Sequence, residues 1–257
     1  DPQAQLIFQD TAGTSLMRSS NSWTQASIES VRDITPTVRE FSLRFPAGLP
    51  AVEPGSHLQV QLLVRGQPQT RSYSVVGQDD ASRCCIAVKR LDQGRGGSLA
   101  MWRLAVGDRL SVSAPQNHFD LALAAPAFLL VAGGIGVTPM VPMAQALARR
   151  GDPVRMLLGA RTQEELAYLP VLQQALGSRL ITAVSRRGEQ LDFAAEIAAL
   201  PAGGQMYVCG PVPMLDAVRR AWAAAGRPPA DLRYETFGSS GRFAPQAFRL
   251  QVPRHGL

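Results

Sequence analysis

The sequence predicts a β + α/β fold, in which an antiparallel β-barrel is followed by a doubly wound parallel sheet with helices on both faces. Three observations support this prediction. The length of 257 residues exceeds that of most single domains. Short apolar runs separated by turn formers fill positions 23–115, and strand-like and helix-like runs alternate from position 126 onward.

The first unit is predicted from short runs rich in Val, Ile, Leu, Phe and Tyr. Pro and Gly cluster between them at 46–48, 53–55 and 66–68, where turns are expected. Many short strands at this spacing favour a small antiparallel barrel or sandwich. The predicted strands are 26–31, 38–45, 57–64, 70–76, 84–89 and 109–113, and one short helix is predicted over 97–104.

The second unit begins with a continuous apolar run, followed by a glycine-rich turn and a helical stretch. The same order of strand and helix then repeats with short connections, which is typical of a parallel sheet covered on both faces. The strands are predicted over 128–132, 155–158, 180–184 and 206–209, and the helices over 138–150, 166–176, 192–200 and 212–225.

Changes in composition indicate the domain boundaries. Residues 1–22 are polar and rich in Ser and Thr, which predicts an N-terminal arm with no assigned role. An alanine-rich stretch near 121–126 separates the barrel domain at 23–122 from the α/β domain at 123–235. Residues 236–257 are predicted to form a further linker.

The composition argues against several classes of function. The net charge is +6, but the arginines are scattered and do not alternate with aromatic residues, so no nucleic-acid partner is expected. Anionic cofactors or an acidic protein partner explain the charge as well. The longest apolar run, around 127–137, is well short of the ~20 residues of a membrane span, so no membrane partner is expected.

The cysteines point to a reducing compartment. Cys84, Cys85 and Cys209 are odd in number and two of them are adjacent, so no disulfide framework is expected and a cytoplasmic location fits. Their spacing suits neither zinc nor an iron–sulfur cluster, and we assign no metal ligand. The few isolated histidines argue against a Ser-His-Asp triad.

A motif in the predicted strand 70–76 suits a flavin. Arg71-Ser72-Tyr73-Ser74 follows a proline-containing turn. Tyr73 could present its ring to an isoalloxazine, Ser74 could bond the polar edge of that ring, and Arg71 could neutralise a phosphate. An ordinary barrel strand with an exposed arginine explains the same residues when they are considered alone.

A glycine-rich segment, Gly94-Arg95-Gly96-Gly97-Ser98, leads into the predicted short helix. Glycines allow backbone N–H groups to converge on an anion, and Arg95 adds a charge-assisted contact. A flexible hairpin loop explains the segment equally well.

A second glycine-rich segment, Gly133-Gly134-Ile135-Gly136-Val137-Thr138-Pro139-Met140, follows a buried strand and opens a helix. A doubly wound sheet binds a dinucleotide pyrophosphate at this place, and Pro139 suits the first helical turn. The third glycine of a G-x-G-x-x-G fingerprint is absent, so a purely structural turn is the alternative. The context favours binding.

Two further segments follow strands of the predicted parallel sheet. Cys209-Gly210-Pro211 lies at the end of the strand 206–209, where a small polarizable side chain could touch a nicotinamide. When the segment is considered alone, a cysteine that only packs in the protein core explains it. Ser185-Arg186-Arg187 could hold the 2′-phosphate of NADPH, or could be a solvated basic loop. Arg161-Thr162 is an alternative dinucleotide contact.

Taken together, these motifs occur in the order and approximate spacing of the ferredoxin–NADP reductase superfamily, over about residues 23–250. The second glycine-rich segment resembles the branch of phthalate dioxygenase reductase and vanillate demethylase reductase. Ala87-Val88-Lys89-Arg90 and Tyr234-Glu235-Thr236-Phe237-Gly238 resemble the same branch.

The resemblance implies FMN rather than FAD, and it implies hydride transfer from nicotinamide C4 to flavin N5. Ser74, Cys209, Glu235 and Phe237 would be catalytic, with Phe237 near the flavin ring where nicotinamide enters. The flavin-binding residues would be Arg71, Ser72, Tyr73, Ser74, Ala87, Val88, Lys89, Arg95, Gly96, Gly97 and Ser98. By the same resemblance, Gly134, Thr138 and Cys209 would hold the pyridine nucleotide, with Phe237 near its nicotinamide. From their positions after the predicted strands we add Arg161, Ser185, Arg186 and Gly210 to the pyridine-nucleotide residues.

One departure concerns the iron–sulfur centre. Members of the branch continue into a plant-type [2Fe–2S] domain with a C-x4-C-x2-C pattern and a distant fourth cysteine, and this sequence lacks that pattern. Residues 247–254 resemble the opening strand of such a domain. We therefore expect the intact protein to carry the cluster, with 236–257 leading into it.

The resemblance implies the reductase component of a Rieske-type aromatic oxygenase or demethylase system. It would be a cytoplasmic monomer that oxidises NADH or NADPH and passes single electrons to the oxygenase. NADH is usual in the branch, whereas the Ser185 loop is more typical of NADPH enzymes, so the choice stays open. The alternatives are a stand-alone flavin or ferredoxin reductase using FAD, and a flavin-based redox-sensing module.

Overall fold

The structure is a computed structural model, and it describes residues 23–237. The predicted N-terminal arm and most of the predicted C-terminal linker, including residues 247–254, lie outside the described residues. Within the described range, no helix is both long and apolar enough to span a membrane.

The first unit is a closed antiparallel barrel. The strands neighbour one another in the order β4-β5-β2-β1-β6-β3, and a further β3–β4 pairing closes the ring. Closure removes exposed strand edges, which is how small barrels avoid edge-to-edge association. The elements are β1 (Trp23–Thr35), β2 (Val38–Arg44), β3 (Ser56–Val64), β4 (Gln67–Asp80), β5 (Arg83–Lys89), α1 (Gly97–Trp102), β6 (Arg109–Ser113) and a short β7 (Gln116–Asn117) that pairs with β3.

Buried and more exposed residues alternate along β3, and this alternation shows which face of the strand lines the barrel core. Leu58, Val60, Leu62 and Val64 are buried in the barrel core, while the residues between them are more exposed. Since side chains alternate across a strand, this pattern places one face inside and the other toward solvent.

The short helix α1 is tied to the barrel by one tryptophan. Trp102 donates its indole N–H to the carbonyl oxygen of Val88 at 3.0 Å, and the Arg39 guanidinium lies 4.3 Å from the centre of the indole ring. These contacts hold the C-terminal end of α1 against β5.

The second unit is a parallel sheet in the order β10-β9-β8-β11-β12. The central strand β8 is buried at every position, which explains its continuous apolar sequence. The elements are β8 (Phe128–Gly133), α2 (Val137–Arg150), β9 (Val154–Ala160), α3 (Leu169–Leu176), β10 (Leu180–Val184), α4 (Phe193–Ala199), β11 (Gln205–Cys209), α5 (Val212–Ala224) and β12 (Leu232–Glu235).

Helices cover both faces of this sheet, as predicted. Residues of α2 and α3 pack in one apolar cluster with the sheet, and residues of α4 and α5 pack in another cluster on the opposite face. The barrel followed by a doubly wound sheet confirms the predicted fold class. The sequence did not predict β12, whose four residues include the polar Arg233 and Glu235, or the two-residue β7.

The two units share a continuous apolar core. Val38, Val76 and Ala87 of the barrel belong to the same buried cluster as Met140 and Met143 of α2. This contact fixes how the barrel faces the sheet, and a cleft opens along the seam.

Polar contacts reinforce the seam. Tyr168 donates its hydroxyl hydrogen to Glu40 Oε2 at 2.8 Å, and Arg32 Nη2 donates to Glu40 Oε1 at 2.8 Å. In the connection between the units, Ala122 N–H donates to the Tyr207 hydroxyl at 2.8 Å, and that hydroxyl donates to the Asp120 carbonyl at 3.1 Å. The alanine-rich linker is therefore held by a buried side chain of β11.

Candidate functional site

A cleft of about 620 Å³ lies at the seam between the barrel and the parallel sheet. It brings together most of the residues that the sequence analysis assigned to the flavin, and it adds two predicted catalytic residues from the second unit. The predicted site residues that line it are Arg71, Ser72, Tyr73, Ser74, Ala87, Val88, Lys89, Arg95, Gly97, Ser98, Thr138, Glu235 and Phe237.

Arg71 lies directly over the loop that was predicted to bind phosphate. A Cβ atom on Gly97 would sit 2.5 Å from Arg71 Nε, so a larger residue here would displace the arginine side chain. The guanidinium donates to the Thr70 carbonyl at 2.9 Å and to the Gln69 side chain. These contacts hold the positive charge of Arg71 in the wall of the cleft.

The loop before α1 has its own internal support. Gly96 adopts φ 88°, a left-handed conformation that favours glycine, and it packs over Val64 instead of lining the cleft. Ser98 Oγ accepts the Leu91 N–H at 3.1 Å. The Ser98 hydroxyl therefore braces the loop, and its predicted contact with phosphate stays a prediction.

Tyr73 forms part of the cleft wall and packs against the barrel core. Burial raises the pKa of its phenol to about 12, so its hydroxyl remains protonated over the physiological range. A half-buried ring with a polar tip is suited to lie beside a planar heterocycle.

Two polar atoms of the cleft lack partners. Ser74 Oγ and Glu235 Oε2 are buried, and neither has a hydrogen-bond partner among residues 23–237. Burial also raises the pKa of the Glu235 carboxyl group. A buried polar atom without a partner costs about 1–3 kcal/mol, so both atoms are suited to a polar ligand that fills the cleft.

Backbone contacts between two loops define the nucleotide crevice of the sheet. The strand order reverses between β8 and β11, and ligands bind at such a switch point in doubly wound sheets. A Cβ atom on Gly136 would lie 2.1 Å from the Cys209 carbonyl oxygen, and one on Gly210 would lie 3.1 Å from Gly133 N. The glycines therefore allow the loops after β8 and β11 to touch.

Gly134 and Thr138 lie on the β8 side of this crevice. Gly134 adopts φ 53°, and Lys89 Nζ is 3.9 Å from where its Cβ would be, so a cation from the barrel approaches the glycine-rich turn. Thr138 is buried, and its hydroxyl donates to the Ile135 carbonyl at 3.0 Å.

Cys209 is fully buried at the end of β11, beside Ala132 on one side and Glu235 on the other. Burial and the neighbouring Glu235 carboxylate raise the pKa of the thiol, so the sulfur is a neutral, packed group. Cys209 and Gly210 border the switch point and do not line the cleft. The predicted contact of Cys209 with a nicotinamide therefore stays a prediction.

The two basic loops form one surface. Arg161 follows β9, Ser185 and Arg186 follow the neighbouring β10, and all three are exposed. The Arg186 N–H donates to the Arg161 carbonyl at 3.1 Å, which joins the loops. From the sequence, these loops were predicted as alternative contacts for the dinucleotide, whereas the structure brings them together at the carboxyl edge of the sheet.

The cleft is also lined by residues that were not predicted as site residues from the sequence. His57 and His118 line it, with ring centroids 5.3 Å apart, as do Ile135 and Thr236. Isolated histidines in a sequence give no signal of pairing, because β3 and β7 bring these two together only in the folded barrel.

A cleft between an antiparallel barrel and a dinucleotide-type sheet defines a two-domain flavin and pyridine-nucleotide oxidoreductase. Known proteins agree with this class. Residues 25–121 match the oxidoreductase FAD-binding domain family, and residues 130–220 match the oxidoreductase NAD-binding domain family.

Curated relatives and a solved structure narrow the class. The chain is 34% identical over 232 residues to the heme-dependent oxidative N-demethylase beta subunit of Ectopseudomonas mendocina, covering 89% of this chain and 73% of the relative. It is 40% identical over 222 residues to the phenoxybenzoate dioxygenase subunit beta of Ectopseudomonas oleovorans, covering 84% of this chain and 68% of the relative. The solved structure of phthalate dioxygenase reductase superposes with a TM-score of 0.77 and 31% identity, covering 85% of this chain and 69% of that one.

The chain belongs to the family of phthalate dioxygenase reductase and related oxygenase reductase subunits. It is an NAD(P)H-dependent flavin oxidoreductase. The resemblance stated from its motifs is thereby confirmed.

Proposed function

We propose that this chain oxidises NADH or NADPH with FMN and passes electrons one at a time, through a [2Fe–2S] centre, to a Rieske-type oxygenase. The observation that carries the proposal is the cleft at the seam. One wall holds Arg71, Tyr73 and Ser74 from the barrel, and Glu235 and Phe237 from the second unit face the same space. The relatives named as oxygenase subunits support the oxygenase as partner.

The residues present fit a flavin. Arg71 and Arg95 would neutralise its phosphate, and the glycines at 94–97 leave the backbone accessible there. Ala87 and Val88 offer an apolar surface to the ring, and the unpartnered Ser74 hydroxyl would bond its polar edge. When bound, the flavin would supply the change from two-electron to one-electron transfer.

The second unit would position the nicotinamide. Gly134, Thr138 and the switch-point glycines would receive the pyrophosphate, because backbone N–H groups at this edge of the sheet suit an anion. Phe237 is 45% exposed at the mouth of the cleft and would occupy the place that the nicotinamide must enter. The Glu235 carboxyl group, which lacks a partner at Oε2, would bond the carboxamide.

The flavin can be identified directly. The protein should release FMN on acid denaturation, with a mass that excludes an adenylate. Release of FAD would contradict the FMN proposal and would favour the alternative of a stand-alone reductase.

Replacing Arg71 with alanine should weaken flavin retention, since the fixed charge over Gly97 would be lost. The fraction of protein that keeps flavin after dialysis measures the effect. Arg109→Ala on the exposed side of β6 is a matched control for the loss of one arginine, and it should retain flavin as the wild type does. Full flavin occupancy in Arg71→Ala would refute this role.

Truncating Phe237 to alanine should open the mouth of the cleft and change the ratio of NADH to NADPH turnover. Steady-state rates with ferricyanide as acceptor measure this ratio. Unchanged kinetics with both coenzymes would contradict the position assigned to Phe237.

The joined basic loops would determine the choice of coenzyme. Arg161, Ser185 and Arg186 would surround the 2′ position of the adenosine ribose, where NADPH carries a phosphate and NADH a hydroxyl group. Arg186→Ala should therefore raise the KM for NADPH by roughly tenfold, the equivalent of about 1.4 kcal/mol, and leave that for NADH nearly unchanged. An equal change for both coenzymes would exclude this assignment.

A further inference from the structure

A methionine side chain covers the carboxyl edge of the parallel sheet at the switch point. Met214 lies in the first turn of α5. Its Sδ and Cε atoms are both 2.9 Å from where a Cβ on Gly133 would be. Sδ is also 2.9 Å from the Cβ position of Gly210, and Cε is 3.3 Å from that of Gly159. The thioether therefore packs directly on the backbone where β8, β9 and β11 end.

This position lies on the path of the pyridine nucleotide. The basic loops that follow β9 and β10 are at one side of the sheet, and Glu235 at the end of β12 is at the other side, in the flavin cleft. The strand ends that Met214 covers lie in the middle of the order β10-β9-β8-β11-β12. Because neighbouring strands are only about 4.8 Å apart, an extended dinucleotide that joins the two sides passes over the thioether.

Met214 is also the described methionine that is most open to a reagent. It is half-buried, whereas the others among residues 23–237 are 0% exposed, namely Met101, Met140, Met143, Met156 and Met206. The three cysteines are protected in a different way, because burial raises the pKa of their thiols and oxidants attack the thiolate. An oxidant that enters the crevice therefore reacts first with the sulfur of Met214.

We propose that Met214 is a site of oxidation by hydrogen peroxide, and that its sulfoxide weakens the binding of the pyridine nucleotide. The inference rests on the proposed function. A flavin oxidoreductase produces hydrogen peroxide when dioxygen, instead of a one-electron acceptor, takes the two electrons of NAD(P)H. The modification thus slows the consumption of NAD(P)H when the acceptor is lacking.

The atoms and electrons of this step balance. The oxygen–oxygen bond of hydrogen peroxide breaks, and one oxygen forms a bond with Sδ of Met214. The sulfur loses two electrons, and the second oxygen leaves as water with both protons. The product is methionine sulfoxide, which a methionine sulfoxide reductase converts back to the thioether.

The surroundings of the sulfur determine where the new oxygen points. The backbone at Gly133 and Gly210 occupies the side of Sδ that faces the sheet. The oxygen therefore projects into the crevice, where its partial negative charge repels the pyrophosphate of either coenzyme. Oxidation also replaces an apolar surface with a polar one, so the coenzyme loses an apolar contact as well.

The test compares oxidation with coenzyme binding in the flavin-loaded protein. The wild type, Met214→Leu, Met214→Gln and Met156→Leu are treated with hydrogen peroxide, cleared with catalase, and each compared with its own untreated sample. Peptide mass spectrometry locates the added oxygen, and titration calorimetry with NAD⁺ and NADP⁺ measures the Kd without turnover. Met156→Leu replaces a buried methionine of β9 and is the matched control.

In the wild type and in Met156→Leu, oxygen should be added to Met214 before Met206, which is buried and lies in the same tryptic peptide. The Kd for both coenzymes should then rise roughly tenfold, the equivalent of about 1.4 kcal/mol. A methionine sulfoxide reductase should restore the affinity, and dithiothreitol, which reverses the oxidation of cysteine to a disulfide, should not.

The two substitutions of Met214 separate its oxidation from other damage. Peroxide should not change the affinity of Met214→Leu, because leucine has a similar volume and cannot accept oxygen. Met214→Gln places a polar oxygen at the same position, so its Kd should exceed that of Met214→Leu before any treatment.

Several results would overturn the inference. They are oxidation of a buried methionine before Met214, unchanged coenzyme affinity in protein whose Met214 is oxidised, and loss of affinity in Met214→Leu after peroxide. If Met214→Leu does not fold, the wild type still decides, because recovery with dithiothreitol would assign the effect to a cysteine. Failure of the untreated wild type to bind flavin or to oxidise NAD(P)H would refute the proposed function itself, whereas oxidation at Met214 would still be measured by mass.

Discussion

Replacing Gly136 with alanine should force apart the two loops that meet at the switch point of the parallel sheet. Gly136 has φ −61° and ψ −5°, a conformation that alanine adopts freely, so the backbone itself would not be strained. The added Cβ, however, would lie 2.1 Å from the Cys209 carbonyl oxygen and 2.9 Å from Gly210 N. The substitution therefore acts only through the steric clash of the added Cβ, and not through backbone strain.

The size of the effect follows from these distances. Ordinary van der Waals contact begins at 3.4 Å, so the loops after β8 and β11 must separate by more than about 1 Å. Overpacking of this kind lowers the free energy of unfolding by about 1–3 kcal/mol. Each kcal/mol lost lowers the melting temperature by roughly 2–4 °C. A displacement of about 1 Å at a reacting site can also reduce the rate by about 10²-fold.

Thermal unfolding and stopped-flow reduction of the flavin by NAD(P)H measure the two effects. Gly77→Ala is a matched control, because an added Cβ there meets nothing within 4 Å and its φ is not positive. That control should be as stable as the wild type, or slightly more stable. A Gly136→Ala protein with wild-type stability and wild-type hydride transfer would refute the view that backbone contact at the switch point shapes the nucleotide site.

Three further substitutions test the seam, the linker and the buried carboxyl group. Tyr168→Phe should lower the free energy of unfolding by about 1–3 kcal/mol in urea titrations, because it removes the hydrogen bond to Glu40 across the seam, and an unchanged midpoint would contradict this. Tyr207→Phe should cost about 1–3 kcal/mol because the linker N–H of Ala122 loses its acceptor, and thermal stability equal to the wild type would show that the linker does not depend on it. Glu235→Gln should raise the melting temperature at pH 7 but not at pH 4. Burial raises the native pKa of this carboxyl group above 4.5, so its contribution to stability is present below 4.5 and is lost as the pH rises through the native pKa. A difference that does not change with pH would refute this assignment.

The strands and helices that the sequence predicted are those with strong local signals. Turn formers separate β2, β3 and β4 of the barrel, and alternation along β3 marks its buried face. Continuous burial of β8 appears in the sequence as an unbroken apolar run. The strand β12 has no such signal, because it is a short edge strand whose partner β11 supplies its hydrogen bonds.

The parts of the candidate site that could be predicted from the sequence are those in which the site residues are contiguous in the chain. Residues 71–74, 87–89 and 94–98 were assigned to the flavin from local sequence and resemblance, and the structure brings residues of all three segments to one cleft. How far each of them acts in catalysis stays a prediction that the substitutions above test.

The sequence by itself determined the class of fold, the order of the two units and the motifs at the ends of the strands, since all of these are encoded within short windows by periodicity and turn chemistry. Only the tertiary structure decided which side chains meet. Closure of the barrel places His57 beside Ser74, parallel pairing unites the loops of Arg161 and Arg186, and the seam joins Tyr168 to Glu40. The physical reason is that these contacts link residues far apart in the chain, so they exist only after the barrel has closed and the sheet has packed against it.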